Sequence, residues 1–448
     1  MSGTNRCSTE VLYEFIVYNQ RVSTISSETV ETADFHRLGI ESKILNVLDR
    51  LHFRVPTPIQ QKAIPVLLEG NDIIGMAQTG TGKTLAFALP MLQRFLHPNH
   101  SKGKGLILLP TRELAIQIEQ TFQKIGRSFG VRTAVLIGGS PMGKQIQDLR
   151  NHPQVIIATP GRMVDHLQRR TVSLHEVRML VLDEADRMLD MGFAPQIKQI
   201  LQAVPKERQT MLFSATMSDD IVKIAMTHMK LPVRVEIARP GTVAQRVEQE
   251  VFIIKPNQKN RLLEALLNQY PGAVLIFSRT KHGARKICSV VKRMGHAAAE
   301  IHSDRSLNQR REALQGFQRG KYRVLAATDI AARGIDVEGI ELVINYDVPE
   351  YAGDYVHRIG RTGRAGRPGR AITFATPEQG HKVRHIERFI RTALRVSKLP
   401  ELPADREPPP SIPSPYSRPS RPPFHSRDRR PHSPSHPSSY SSSRRKRF

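Results

Sequence analysis

Short apolar runs alternate with amphipathic stretches from Phe35 to about residue 376 of this 448-residue chain. Each run leads into a polar or glycine-rich cluster, and stretches with helical periodicity lie between the runs. Alternation of this kind is typical of βαβ units, which build parallel sheets. The predicted strands of a first set are IIGM (73–76), LILL (106–109), AVLI (134–137), VIIA (155–158), LVL (180–182) and TMLF (210–213).

A second set of strand patterns follows after about residue 245. Its spacing resembles that of the first set, so the sequence predicts an α/β protein with two tandem domains of similar build. The predicted boundaries are 33–237 for the first domain, 238–245 for the linker ARPGTVAQ and 246–392 for the second domain. The strands of the second set are VFII (251–254), AVLIF (273–277), AEI (299–301), RVLAA (323–327), LVIN (342–345) and AITFA (371–375).

Both ends of the chain lack a pattern that would build a core. Residues 1–32 are rich in Ser, Thr and Glu without sustained periodicity, which predicts a disordered leader. Residues 393–448 are predicted to form a disordered basic tail, in which Pro, Ser and Arg dominate from about 402 onward. From Leu402 the tail has nine arginines and Lys446 against three acids, a net charge of +7. Such a segment favours either anchoring of a polyanion or plain solubility.

The net charge of the whole chain has the same two interpretations as that of the tail. A formal net charge of +26 favours solubility or affinity for a polyanion. Cys7 and Cys288 stand far apart and form no CxxC pattern, so we expect a reducing, cytoplasmic setting without zinc. We expect neither a signal peptide nor a membrane span, because no stretch approaches about 18 uncharged apolar residues.

A phosphate-binding loop is predicted at AQTGTGKT, residues 77–84, directly after the first strand and before a helical stretch. Its glycines let backbone N–H groups turn toward phosphate oxygens, Lys83 reaches the β- and γ-phosphates, and Thr84 ligates Mg²⁺. Ala77 stands where the general GxxxxGK(S/T) pattern has its first glycine. A plain glycine-rich turn is the alternative interpretation.

Three acids follow the apolar segment MLVL (179–182) within four positions, namely Asp183, Glu184 and Asp186. Like charges this close repel one another unless a cation lies among them, and a solvated turn is the alternative. If the phosphate-binding loop holds Mg-ATP, Asp183 can bind the metal through water while Glu184 orients or deprotonates the attacking water. Open parallel sheets bind ligands beyond the carboxyl ends of their strands, so both motifs are expected at one sheet edge.

With these motifs in place, the chain resembles the DEAD-box ATP-dependent RNA helicases, and its plain cores and short linker resemble bacterial members of the RhlE kind. The resemblance covers roughly residues 33–380 and implies two RecA-like domains that use ATP and Mg²⁺. Beside the acids, which read DEAD (183–186), the motifs of that family occur in its order. They are FRVPTPIQ (53–60), AQTGTGKT (77–84), PTREL (110–114), GG (138–139), TPGR (159–162), SAT (214–216), LIFSRT (275–280), ATDIAARGID (327–336) and HRIGRTGRAGR (357–367).

The resemblance assigns a nucleotide site. It implies that Gln60 reads the adenine edge, that Phe35 stacks on the adenine, and that Asp336 binds the ribose. Arg361 and Arg364 match the arginine fingers of the family, whose guanidinium groups suit the charge that develops on the γ-phosphate. The catalytic set is Lys83, Asp183, Glu184, Arg361 and Arg364. The ATP-binding set is Phe35, Gln60, Ala77, Gln78, Thr79, Gly80, Thr81, Gly82, Lys83, Thr84 and Asp336.

The resemblance also implies an RNA site and a relay that couples it to hydrolysis. Arginines and backbone N–H groups hold phosphates without reading bases, so single strands and short duplexes are expected to bind with little sequence preference. Two departures from the family pattern stand in HSDRSLNQR (302–310), where Ser303 replaces a glycine and Leu307 replaces a glutamine. The relay consists of Asp186, Ser214, Thr216 and His357. The RNA contacts are Arg112, Gly139, Thr159, Gly161, Arg162, Arg310 and Thr328.

The sequence-based hypothesis is therefore an ATP-dependent RNA helicase in which ATP and single-stranded RNA close the cleft between the domains. Proteins of ribosome assembly or of RNA decay are its candidate partners. One alternative is an RNA clamp with idle ATPase parts, which intact Lys83, Glu184 and the two arginine fingers disfavour. The other is a DNA translocase, which the SAT and DEAD motifs disfavour by resemblance only.

Overall fold

A computed structural model describes residues 34–77, 81–97, 103–237, 247–329, 337, 339–363 and 368–403. The predicted leader (1–32), the predicted linker (238–245) and the part of the predicted tail from 404 to 448 lie outside the described residues. Within the described ranges, every helix is too short or too polar to cross a membrane.

The first domain is built on a parallel sheet of seven strands in the order β3-β4-β2-β5-β6-β1-β7. Buried apolar side chains on both faces of the sheet form two core clusters beneath the flanking helices. The strands are β1 (Ile73–Met76), β2 (Lys104–Leu108), β3 (Thr133–Leu136), β4 (Val155–Ala158), β5 (Val177–Leu182), β6 (Gln209–Ser214) and β7 (Val233–Glu236). The helices are α1 (Ser42–Arg50), α2 (Pro58–Leu68), α3 (Lys83–Leu96), α4 (Arg112–Gly126), α5 (Met142–Arg150), α6 (Pro160–Gln168), α7 (Ala185–Asp190), α8 (Ala194–Ala203) and α9 (Asp219–His228).

The second domain repeats this arrangement with seven parallel strands in the order β10-β11-β9-β12-β13-β8-β14. Its core also forms two clusters, one on each face of the sheet. The strands are β8 (Val247–Ile253), β9 (Ala273–Ser278), β10 (Ala298–Ile301), β11 (Val324–Thr328), β12 (Ile340–Asn345), β13 (Gly369–Ala375) and β14 (Arg395–Val396). The described helices are α10 (Lys259–Gln269), α11 (Lys281–Arg293), α12 (Leu307–Gln318), α13 (Ala352–Ile359) and α14 (Gly380–Ile390).

The prediction of an α/β protein with two parallel sheets is confirmed. Each of the twelve predicted strands overlaps a strand of the structure. Two strands were not predicted, β7 and β14, and both lie at a sheet edge. Because β7 reads VRVE and β14 has only two residues, neither carries an apolar run that marks a buried strand.

The predicted start of the tail at 393 needs correction. The side chain of Leu394 is buried in the core of the second domain, and β14 pairs with β8. Further along, the guanidinium of Arg261 donates hydrogen bonds to the carbonyl oxygens of Leu402 and Pro403. Because of these contacts, residues 393–403 belong to the second domain. The prediction was wrong here because the composition of the segment does not reveal its packing.

The strand order places the predicted motifs at one edge of the first sheet. Strands β5, β6 and β1 are neighbours, and they end at Leu182, Ser214 and Met76. The acidic motif, the SAT motif and the phosphate-binding loop begin at or directly after those three residues. The expectation that the two nucleotide motifs share a sheet edge is therefore confirmed.

Candidate nucleotide and RNA site

An ion pair joins the phosphate-binding loop to the acidic motif. The Nζ atom of Lys83, the first residue of α3, lies 3.4 Å from Oδ1 of Asp183, and each side chain is only 6% exposed. Burial raises the pKa of Asp183, and the neighbouring Lys83 ammonium opposes that rise. Thr84 follows in the first turn of α3. A cation and a carboxylate thus meet at the N-terminus of a helix whose second residue carries a hydroxyl, and phosphate oxygens and a hard divalent cation find suitable partners in such groups.

Glu184 adopts a left-handed backbone conformation, with φ of 52° and ψ of 49°, at the N-cap of α7. This conformation is uncommon for a residue with a side chain and is found most often where function requires it. Its backbone N–H donates a 2.9 Å hydrogen bond to Oδ1 of Asp183. The side chain is 3% exposed, and its Oε2 atom lies 4.0 Å from Nε of Arg187. The two adjacent carboxylates thus have different basic neighbours, Lys83 for Asp183 and Arg187 for Glu184.

Gln60 connects α2 to the phosphate-binding loop. Its Oε1 accepts a hydrogen bond from the N–H of Thr57, and its Nε2 donates to the carbonyl of Gly82, each at 2.9 Å. Gly82 has a φ of 89°, and a Cβ atom there would lie 2.5 Å from Nε2 of Gln60, so the turn requires glycine. Phe35 is 2% exposed and packs in the core of the first domain, so its stacking on adenine stays a prediction.

Three residues of the predicted relay are brought together. The Oδ2 atom of Asp186 accepts hydrogen bonds from the N–H of Ala215 at 3.1 Å, the N–H of Thr216 at 3.0 Å and the hydroxyl of Thr216 at 3.1 Å. The Ser214 hydroxyl donates to the Thr216 carbonyl at 2.7 Å. The fourth residue, His357, belongs to α13 of the second domain. This arrangement holds α7 against the end of β6.

Arg358 lies in α13 and Arg361 in the turn after it, and the two side chains have different environments. Arg358 forms two hydrogen bonds with the carboxylate of Asp329, at 2.5 and 2.7 Å, and its guanidinium lies over the ring of Phe277. It therefore holds the second domain together. Arg361, a predicted finger, is 3% exposed, and its Nε donates to the carbonyl of His357 at 3.2 Å.

A small cavity between the domains is lined by residues of both. Arg187 from α7 contributes from the first domain, and the second domain contributes Arg361 and His357 among others. Within it, Nη1 of Arg187 lies 3.7 Å from Oδ1 of Asp354, with both side chains nearly buried. Sequence reasoning did not identify Arg187 or Asp354, because no local pattern marks a pair so distant in the chain.

Five of the seven predicted RNA contacts line one cleft, and it also lies between the domains. Burial and the neighbouring Arg310 and Arg162 lower the pKa of Arg112, a sign of crowded positive charge. Gly139 lies against the Arg112 guanidinium, since a Cβ atom there would be 2.3 Å from Nη1. Thr328 ends β11 and is not among the lining residues. The five are Arg112, Thr159, Gly161, Arg162 and Arg310.

Some predicted site residues cannot be placed. They lie outside the described residues, so their assigned roles remain predictions. They are Gln78, Thr79, Gly80, Asp336 and Arg364.

Comparisons with known proteins agree with this geometry. The DEAD/DEAH box helicase family model matches residues 57–224, and the helicase conserved C-terminal domain model matches residues 257–366. The DEAD-box ATP-dependent RNA helicase CshA of Geobacillus kaustophilus is 42% identical over 369 residues, which are 82% of this chain and 79% of that protein.

Two solved structures share the fold of tandem RecA-like domains. S. cerevisiae Dbp5 bound to RNA and ADP BeF3 superimposes with a TM-score of 0.73 at 31% identity, over 81% of this chain and 95% of that one. Mss116p bound to ssRNA and AMP-PNP gives a TM-score of 0.76 at 28% identity, over 83% of this chain and 81% of that one.

Proposed function

The chain belongs to the DEAD/DEAH box helicase family and is a DEAD-box ATP-dependent RNA helicase. We propose that its two domains close on ATP and single-stranded RNA and thereby separate a short duplex. The observation that carries this proposal is that both domains line the same two spaces. Arg187 and Arg361 line the small cavity, while Arg112 and Arg310 line the RNA cleft. A ligand that fills either space gains its full contacts only when the domains are together.

The first domain supports binding of the ATP phosphates. Gly82 holds a tight left-handed turn before α3, and Lys83 supplies a nearly buried cation at the first residue of that helix. A helix N-terminus with a lysine stabilises phosphate charge. The same edge carries the Thr84 hydroxyl and the Asp183 carboxylate, which are oxygen ligands of the kind that Mg²⁺ prefers. When bound there, Mg²⁺ would neutralise phosphate charge.

Glu184 is proposed to orient the attacking water and to accept its proton. Asp183 and Glu184 have different basic neighbours, Lys83 and Arg187, which supports separate roles for the two acids. Arg361 of the second domain, together with Arg364, is proposed to stabilise the charge that develops on the γ-phosphate. Hydrolysis would then require both domains, because Glu184 belongs to the first domain and Arg361 to the second.

The RNA cleft is proposed to hold the backbone of one strand. Its arginines and the backbone N–H groups at the start of α6 contact phosphates, which gives affinity without base readout. A duplex strand held along both domains would bend as they close and separate from its complement. Discrimination against DNA would arise from 2′-hydroxyl contacts. Cytosol is the proposed compartment, an inference supported by the free, buried thiol of Cys288.

A strand-separation assay tests this proposal. A short RNA duplex with a labelled strand is mixed with the full chain and Mg-ATP, and displacement of the labelled strand is followed in the presence of a trap strand. We expect displacement with ATP and none without nucleotide. Tight ATP-dependent RNA binding without any displacement would instead support an RNA clamp and overturn the unwinding step.

A further inference from the structure

Leu307 lies in the second domain but packs against the hydrophobic core of the first. It is the first residue of α12, and its half-buried side chain contacts the cluster that includes Leu114 and Ile118 of α4. The core residues of its own domain belong to other clusters. This is the position at which the family pattern has glutamine, so an apolar contact occupies a place where an amide is usual.

The start of α12 is built to hold Leu307 in this direction. The Ser306 hydroxyl accepts a hydrogen bond from the N–H of Gln309, and the Gln309 side chain accepts one from the N–H of Ser306. This capping box fixes the first turn of the helix. Arg310 is one turn further along, so it shares a helix face with Leu307.

Charged contacts flank the apolar one. Nη2 of Arg310 lies 2.9 Å from Oε1 of Glu113 in α4, and both side chains are about nine-tenths buried. Six residues further along α4, burial raises the pKa of Glu119, and the positive charge of Arg311 opposes that rise. Residues of α4 and α12 line a shared groove here. The first turn of α12 therefore presents an apolar side chain and a cation to apolar side chains and a carboxylate of α4.

We propose that Leu307, with the Glu113–Arg310 pair, forms a latch that stabilises the closed arrangement of the two domains. The proposal rests on the closure mechanism above and makes Leu307 a positioning residue for the reaction. Burial of an apolar side chain favours whichever arrangement buries it. The free energy needed for domain closure is accordingly smaller with leucine than with glutamine at position 307. Binding of RNA and ATP therefore has to supply less of that free energy.

The test is the RNA affinity of the full chain with and without a non-hydrolysable ATP analogue. Leu307→Gln should lower the affinity roughly fivefold when the analogue is present, as expected for a half-buried leucine. It should leave the nucleotide-free affinity unchanged, because closure is then not required. The matched control is Leu402→Gln, the same change at a half-buried leucine that packs on the core of the second domain itself. That control should change neither affinity.

Each other result overturns a specific claim. If the parent chain shows the same RNA affinity with and without the analogue, the closure mechanism is wrong and the latch with it. If the analogue raises the RNA affinity of the parent and raises that of Leu307→Gln by the same factor, only the latch is wrong.

Discussion

The ammonium of Lys83 faces the carboxylate of Asp183 at 3.4 Å, and both groups are almost fully buried. Removing two charges from water costs more than a pair of this geometry returns in most proteins. Burial accordingly raises the pKa of Asp183 despite its cationic neighbour. A pair retained at such cost at the carboxyl edge of a parallel sheet is better explained by catalysis than by stability.

The first prediction separates binding from hydrolysis at this edge. Lys83→Ala should weaken ATP binding on the order of tenfold or more, because it removes the cation that is proposed to contact the phosphates. Glu184→Gln should leave binding intact and lower turnover by roughly a hundredfold or more, because the amide cannot accept the proton of water. Nucleotide affinity and single-turnover hydrolysis are measured for each.

The control for both variants is Lys104→Ala, which removes a lysine paired with Glu176 at the start of β2. Its affinity and turnover should match the parent. Normal hydrolysis by Glu184→Gln would refute the role of that carboxylate.

The second prediction distinguishes the two arginines of the HRIGR motif. Arg361→Ala should lower hydrolysis roughly a thousandfold with little effect on the melting temperature, because its proposed partner is the γ-phosphate. Arg358→Ala should destabilise the protein by about 3 kcal/mol, because it leaves the Asp329 carboxylate without its two hydrogen bonds. Arg364→Ala should resemble Arg361→Ala. An Arg361→Ala chain with the turnover of the parent would remove the finger assignment.

The third prediction concerns the base. GTP, CTP and UTP should be poor substrates, because the Gln60 amide would leave polar groups of other bases without partners. Gln60→Ala should erode that preference, and it should also weaken ATP binding because the bond to the Gly82 carbonyl is removed. Gln61→Ala is the control, since that neighbouring amide bonds only to the Pro56 carbonyl among the described contacts. Equal rates with GTP and ATP in the parent would contradict the role of Gln60.

Much of the fold was predictable because apolar runs are local signals. His52 shows where such signals end, since its left-handed backbone conformation, with a φ of 60°, is uncommon for a residue with a side chain and no apolar run predicts it. The pairs Arg187–Asp354 and Glu113–Arg310 could not be predicted, because each joins residues far apart in sequence. Nothing local tells a buried interdomain charge from a solvated one.

The fourth prediction addresses the tail. Truncation after Pro403 keeps the hydrogen bonds of Arg261 and removes the arginines spread through Pro and Ser. RNA affinity should then fall, because the truncation removes cations that can neutralise RNA phosphates. For each phosphate that the tail no longer neutralises, the salt slope of binding should decrease by roughly 0.7. Turnover at saturating RNA should be unchanged, and an unaltered salt slope would leave solubility as the role of the tail.

RNA held by both domains is proposed to complete the site for ATP hydrolysis, and every other step of the mechanism depends on that coupling. The most direct test is ATP hydrolysis by the full chain without nucleic acid, with single-stranded RNA, and with DNA of the same sequence. We predict strong stimulation by RNA and little by DNA, with RNA stimulation abolished in Glu184→Gln. Equal stimulation by DNA, or hydrolysis independent of any nucleic acid, would contradict this coupling.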